Sequence, residues 1–259
     1  MNPRIRSSVQ RWLGSLGTRG EARSAAAVAA LVGGRDPQVA LARATATLRA
    51  LPFSALTPDD LLSNADTGLE KKSAHARMGG ISCFVSHSWS DDGVAKWHSL
   101  SEWAKDYKKQ RNKDPTMWID KGCLAQSSLA DCLSTLPCYL AACERLLILL
   151  GPTYLSRVWC CLELFTWLQM GGSEQRITIL PLGEFETAAA AAIEAFDASR
   201  AQCFVEDERQ QLLAIIETAF GSFAPFNALC KQVLTRRLLP EAQRARGSFM
   251  VRPRQRQIV

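Results

Sequence analysis

Two short stretches concentrate the chain's reactive side chains. Ser86-His87-Ser88-Trp89-Ser90-Asp91-Asp92 offers hydroxyls, an imidazole, an indole face and two carboxylates in succession. The second stretch runs from Gly151 through Pro152, Thr153, Tyr154, Leu155, Ser156, Arg157 and Val158 to Trp159. Cys160, Cys161, Leu162 and the carboxylate Glu163 follow it. Helix capping accounts for Ser90 and Asp91, and a carboxylate near a helix start complements the macrodipole. Capping does not account for so many hydrogen-bonding groups beside an aromatic platform. Leu162, Leu164 and Phe165 surround Glu163 in sequence and are expected to raise its pKa somewhat by desolvation. The helix N-terminus pulls the other way, so an ionised Glu163 at neutral pH is expected.

The elements that must position these groups follow an alternating rhythm. Ile81–Ser86 is expected as a buried strand and Asp91–Gln110 as a helix. Thr116–Ile119 and Ser127–Ala142 repeat the pair, and Arg145–Leu150 is the third and most apolar strand. A helix from Val158 to Met170 stops at Gly171–Gly172. Ile177–Leu180 and the Ala-rich helix Thr187–Phe196 come next. A weaker fifth strand, Gln202–Val205, leads into helices Asp207–Phe220 and Ala224–Leu239. Strands alternating with helices predict an α/β fold whose parallel sheet is covered on both faces. With five strands, the flavodoxin-like order 2-1-3-4-5 is expected, with the switch point between the first and third strands. Ligands in such sheets bind outside the strand C-termini at the switch, which selects the Ser86–Asp92 and Gly151–Trp159 loops. A helical N-terminal flank (1–79) and a C-terminal helix with a basic tail (221–259) are expected around a domain at 80–220. In the flank, Glu21–Leu31 and Pro37–Leu51 read as helices, with Asp36–Pro37 as N-cap and first-turn proline, and Thr57-Pro58-Asp59-Asp60 starts a third.

Charge location argues against nucleic acid as a partner. The chain of 259 residues carries +6, but residues 1–50 hold eight Arg against two acids and residues 241–259 five Arg against one. The middle, 51–240, is therefore at −4. A nucleic-acid-binding domain carries its basic patch on the folded body. The longest apolar run, Ala25–Val32, has eight residues, far short of the ~18 that a membrane helix needs. Nine Cys without CxxC pairing, and only three His, point to reduced thiols rather than a metal site. No metal or cofactor is expected, and the expected compartment is cytoplasmic. The Arg- and Ala-rich first 50 residues also resemble an organellar transit peptide, which Asp36 and the well-formed second helix argue against.

The strand Cys83–Ser88, the strand ending Trp118-Ile119-Asp120, the run Leu149–Ser156 and the element Trp159-Cys160-Cys161-Leu162-Glu163-Leu164 together resemble the Toll/interleukin receptor (TIR) domain, most of all its plant and bacterial branches. The similarity covers roughly Gly80 to Phe220, in order and at the right spacing. The Trp-Cys-x-x-Glu-Leu element is its most specific piece.

This resemblance implies a flavodoxin-like sheet and an NAD⁺ glycohydrolase in a signalling or defence context. Glu163 would then be catalytic, and Ser86, His87, Ser88, Trp89, Asp120 and Trp159 would bind substrate. NAD⁺ would be a substrate, not a resident cofactor. It also implies self-association, or pairing with other TIR domains, through the loop Asp120–Gln126, whose Lys121, Gly122, Cys123 and Leu124 would reach a neighbour. The chain departs from the family at Ala125-Gln126, where a Gly is usual. It departs again at His87-Ser88, where an aromatic or Arg often follows the strand Ser. One carboxylate suffices for the chemistry: nicotinamide leaves as a neutral pyridine, so no general acid is needed, only stabilisation of an oxocarbenium-like ribose. Two alternatives stand beside this reading. One is a non-catalytic TIR scaffold, and the other is a nucleoside deoxyribosyltransferase-like enzyme.

Overall fold

The computed structural model describes residues 36–62, 65–124 and 129–238, together with Val28. Apart from Val28, which is helical, the expected helix Glu21–Leu31 lies outside the described residues, as do the basic tail beyond 238, Ala125 and Gln126.

The protein is an α/β fold on a mixed six-stranded sheet. Its strands are β1 (Arg49–Pro52), β2 (Ala74–His75), β3 (Cys83–His87), β4 (Thr116–Trp118), β5 (Leu146–Leu150) and β6 (Ile177–Pro181). The order is β2-β1-β4-β3-β5-β6. Four strands expected from the sequence, β3 to β6, form a parallel block in which β3 lies between β4 and β5. Phe84, Val85, Ser86 and His87 pair with Leu146, Leu147, Ile148 and Leu149. Every residue of β3 and β5 is buried, which requires both faces of the sheet to be covered.

The edges differ from the expectation. Gln202–Val205 is not a strand. Gln202 makes only an isolated bridge to Arg157: its N–H donates to Ser156 O and its carbonyl accepts from Val158 N. Phe204 and Val205 are exposed, so these apolar residues do not add a buried edge to β6. On the other side the flank enters the sheet. The helix expected over Pro37–Leu51 stops at Thr47, because Leu48 turns extended (φ −62°, ψ 120°). Residues 49–52 then pair antiparallel with β4, which buries Leu51. Asp36 caps that first helix, α1 (Pro37–Thr47), accepting from Gln38 N and Val39 N.

The helices that position the site are α4 (Gly93–Arg111), α5 (Asp120–Cys123), α6 (Leu129–Ala141) and α7 (Val158–Gln169). Before α4 come the short α2 (Asp59–Leu62) and α3 (Leu69–Lys72), and after α7 come α8 (Ala189–Glu194), α9 (Glu206–Phe220) and α10 (Phe223–Leu238). Asp92, not the expected Ser90 or Asp91, caps α4, accepting from Ala95 N at 2.8 Å; Asp91 accepts from Thr153 instead. Gly171, at φ +74°, follows the end of α7 in the left-handed region that favours glycine. Among the described residues no single helix is long and apolar enough to cross a membrane.

Candidate functional site

The C-terminal ends of β3 and β5 deliver the two polar loops to one place, and hydrogen bonds fasten them together. Ser88 Oγ and Thr153 Oγ1 are 2.7 Å apart. The Thr153 backbone N–H and hydroxyl both donate to Asp91 Oδ1 at 2.8 Å. Gly151 makes this closeness possible, since a Cβ there would collide with the Asp91 carboxylate. The first loop is also held from below. Lys96, fully buried, donates from Nζ to Ser88 O at 3.1 Å and lies 5.2 Å from the Trp89 ring centroid. Burial pulls the Lys96 pKa down, while Asp91, Asp120 and Asp92 oppose that.

Between these loops and α6 lies a cavity of ≈ 230 Å³. Glu163, Asp120, His87, Trp89, Trp159 and Arg157 line it, and Ser88, Leu124, Cys132 and Cys160 also contribute. Its floor is aromatic: Trp118 stacks on Phe84 at 4.4 Å and on Tyr139 at 5.4 Å between ring centroids.

Glu163 sits in the second turn of α7, half-buried between the buried Leu162 and Leu164. The Ser86 hydroxyl donates to Glu163 Oε2 at 2.5 Å, and Tyr154 Oη lies 2.7 Å from the same Ser86 oxygen. Burial pushes the Glu163 carboxyl up to about 8. The Ser86 hydrogen bond opposes the shift and the Asp120 charge adds to it. This corrects the expectation of an ionised Glu163. Desolvation dominates, so the neutral acid is favoured at pH 7 in the free protein. Burial likewise pushes the Tyr154 phenol well above its ordinary value.

Asp120 behaves oppositely. Burial would raise its carboxyl, but the His87 ring, the Trp89 indole N–H and the Lys121 backbone N–H outweigh that and hold it below the usual carboxylate value. Trp89 Nε1 donates to Asp120 Oδ2 at 2.9 Å, and His87 Nε2 lies 3.5 Å from Asp120 Oδ1. That spacing is long for an N–H···O hydrogen bond. His87 meets Trp89 edge-on at 4.4 Å between ring centroids.

The structure thus gathers His87, Ser88, Trp89, Asp120, Trp159 and Glu163 at one cavity. Ser86 is different: it is fully buried and touches Glu163 from within the fold. Of the expected assembly residues, Gly122 and Cys123 are buried in α5. The Gly122 Cα packs so close to Leu69 and Leu51 that a Cβ would press on both side chains. Lys121 Nζ sits 5.5 Å from the Trp89 ring centroid and donates to Asp60 O. Leu124 lines the cavity. Sequence reasoning missed Tyr154 and Arg157 as individual site residues, although both lie in the loop it selected. It also missed Trp118 as a residue of the cavity, having placed it only in the second strand. All nine cysteines are free thiols. Among the described residues no group of three or more His, Cys, Asp or Glu is arranged to hold a metal ion.

No protein-family model, curated protein or solved structure matches the chain.

Proposed function

We propose that the chain is a TIR-type NAD⁺ glycohydrolase built on the flavodoxin-like arrangement of its parallel strands. The observation that carries the reading is one desolvated carboxyl, Glu163, lining a cavity with Trp89, Trp159 and the ionised Asp120. The nicotinamide riboside end of NAD⁺ enters this cavity, with the ring against an indole face. At ≈ 230 Å³ the space is below the ~300–1,000 Å³ typical of drug-sized ligands, so the adenylate end lies outside.

The pyridinium cation favours the charged form of Glu163, which loses its proton as substrate binds. Ser86, positioned by Tyr154, donates to the resulting carboxylate. As the C1′–N bond breaks, its electron pair leaves with neutral nicotinamide, and Glu163 stabilises the developing oxocarbenium. Water adds at C1′ and releases a proton, giving ADP-ribose. Self-association belongs to the same proposal.

Incubation of concentrated protein with NAD⁺ tests the reading. Nicotinamide and an ADP-ribose product should appear together in equal amounts. Intact NAD⁺ after prolonged incubation at high protein concentration would leave the scaffold alternative.

A further inference from the structure

Asp120 and Glu163 lie close enough for the Asp120 charge to raise the Glu163 pKa. Arg157 lines the same cavity. Among the described residues no carboxylate stands within ion-pair distance of Arg157, and its guanidinium N–H groups find no acceptor. Its contact is the ring of Phe204, with the guanidinium carbon 4.2 Å from the ring centroid. Phe204 is itself 74% exposed. The backbone around this pair is tied down: Gln202 N donates to Ser156 O at 2.7 Å, and Val158 N donates to Gln202 O at 3.0 Å. The cavity therefore holds two carboxyl groups and an oriented guanidinium whose fork is unused.

A ligand that matches has a positive charge at one end and a negative one at the other. We infer that Arg157 anchors a phosphate of the ligand, so that the site takes pyridinium ribosides bearing a 5′-phosphate in preference to the bare nucleoside. The inference rests on the glycohydrolase reading for the pyridinium end alone. The phosphate end rests on Arg157 and Phe204. A guanidinium fork presents paired N–H donors that match two phosphate oxygens. Stacking on Phe204 holds the fork in place without neutralising it, so little rotamer freedom is lost on binding.

The test compares nicotinamide mononucleotide with nicotinamide riboside as ligands of the Glu163→Gln chain, which holds them unreacted, by quenching of tryptophan fluorescence. The mononucleotide should bind about 10- to 100-fold more tightly than the riboside, as a charge-assisted hydrogen-bonded pair implies. Adding Arg157→Gln should close that gap and leave the riboside unchanged. Phe204→Ala, which keeps the charge, should narrow it. Equal binding of the two ligands, no binding of either, or a gap that survives Arg157→Gln would overturn the inference. NAD⁺ turnover by the wild type reads the glycohydrolase proposal separately. A chain that binds the mononucleotide through Arg157 without cleaving NAD⁺ keeps this inference and loses that proposal. A chain that cleaves NAD⁺ equally well with Arg157→Gln does the reverse.

Discussion

Ser86, in the middle of the parallel block, donates its hydroxyl to the carboxyl of Glu163 on a helix 77 residues further along the chain. The strand therefore places, from inside the core, the one hydrogen bond that favours the charged form of a carboxyl that burial otherwise keeps neutral. Asp120 acts on the same carboxyl in the opposite sense from across the cavity.

These opposed influences predict opposite shifts in the pH dependence of kcat/KM, which reports ionisation in the free protein. In the wild type the rate should rise with pH and level off above about 8. Ser86→Ala removes a bond to the charged form, so its midpoint should move up. Asp120→Asn removes a like charge, so its midpoint should move down even as kcat falls with the loss of the Trp89 anchor. Rate profiles over pH 5 to 10 for the three chains check this. Midpoints moving together would contradict the account.

Stability carries the same signature without any substrate. The folded pKa of about 8 lies above the unfolded value of 4.5, so the fold favours the neutral acid. Its contribution is fully present below pH 4.5 and is lost as pH rises through 8. Glu163→Gln removes the titration. Its Tm should match the wild type near pH 4 and exceed it near pH 9, by an amount corresponding to roughly 1–4 kcal/mol. Thermal unfolding of both chains across that range is the measurement, and parallel curves would contradict it.

Gly151→Ala probes the clasp between the loops. A Cβ there collides with the Asp91 carboxylate, whose Oδ1 accepts both bonds from Thr153. Overpacking at such a contact costs about 1–3 kcal/mol. Urea unfolding should show a lower midpoint with an unchanged slope. A midpoint equal to wild type would mean the loops are not held together here.

Assembly predicts a dependence on concentration. Gly122 and Cys123 are buried, so contact with a neighbouring copy would fall to Lys121 and Leu124; if they make it, NAD⁺ turnover per chain should rise with protein concentration before it saturates. A rate strictly proportional to protein, from dilute to concentrated, would show that one copy holds a complete site.

The parallel block was legible because β3, β5 and β6 are short apolar runs separated by helix-length segments, and handedness then leaves few orders. The site was legible at the level of loops, since a switch point selects them without knowledge of any side chain's direction. The pairing of residues 49–52 with β4 was not legible. Leu48, Ala50 and Leu51 continue a helical pattern locally, and only a partner far along the chain turns them extended. Phe204 and Val205 failed in the opposite way: their apolar character suggested a buried strand, yet they lie exposed, and Phe204 stacks beneath Arg157. The protonation of Glu163 was missed because its helix position was visible in the sequence, whereas the depth of its burial depends on Ser86, Tyr154 and the strands beneath them.

On the proposed glycohydrolase reading, the charge of Glu163, not its shape, drives cleavage of the nicotinamide–ribose bond. Glu163→Gln preserves the shape, so the most direct test is NAD⁺ turnover by wild type and Glu163→Gln at equal, high protein concentration and pH 8. The account predicts a fall in kcat of about 10²-fold or more with little change in KM, as expected for a group that acts in the transition state. Equal turnover by a folded Gln variant would contradict it.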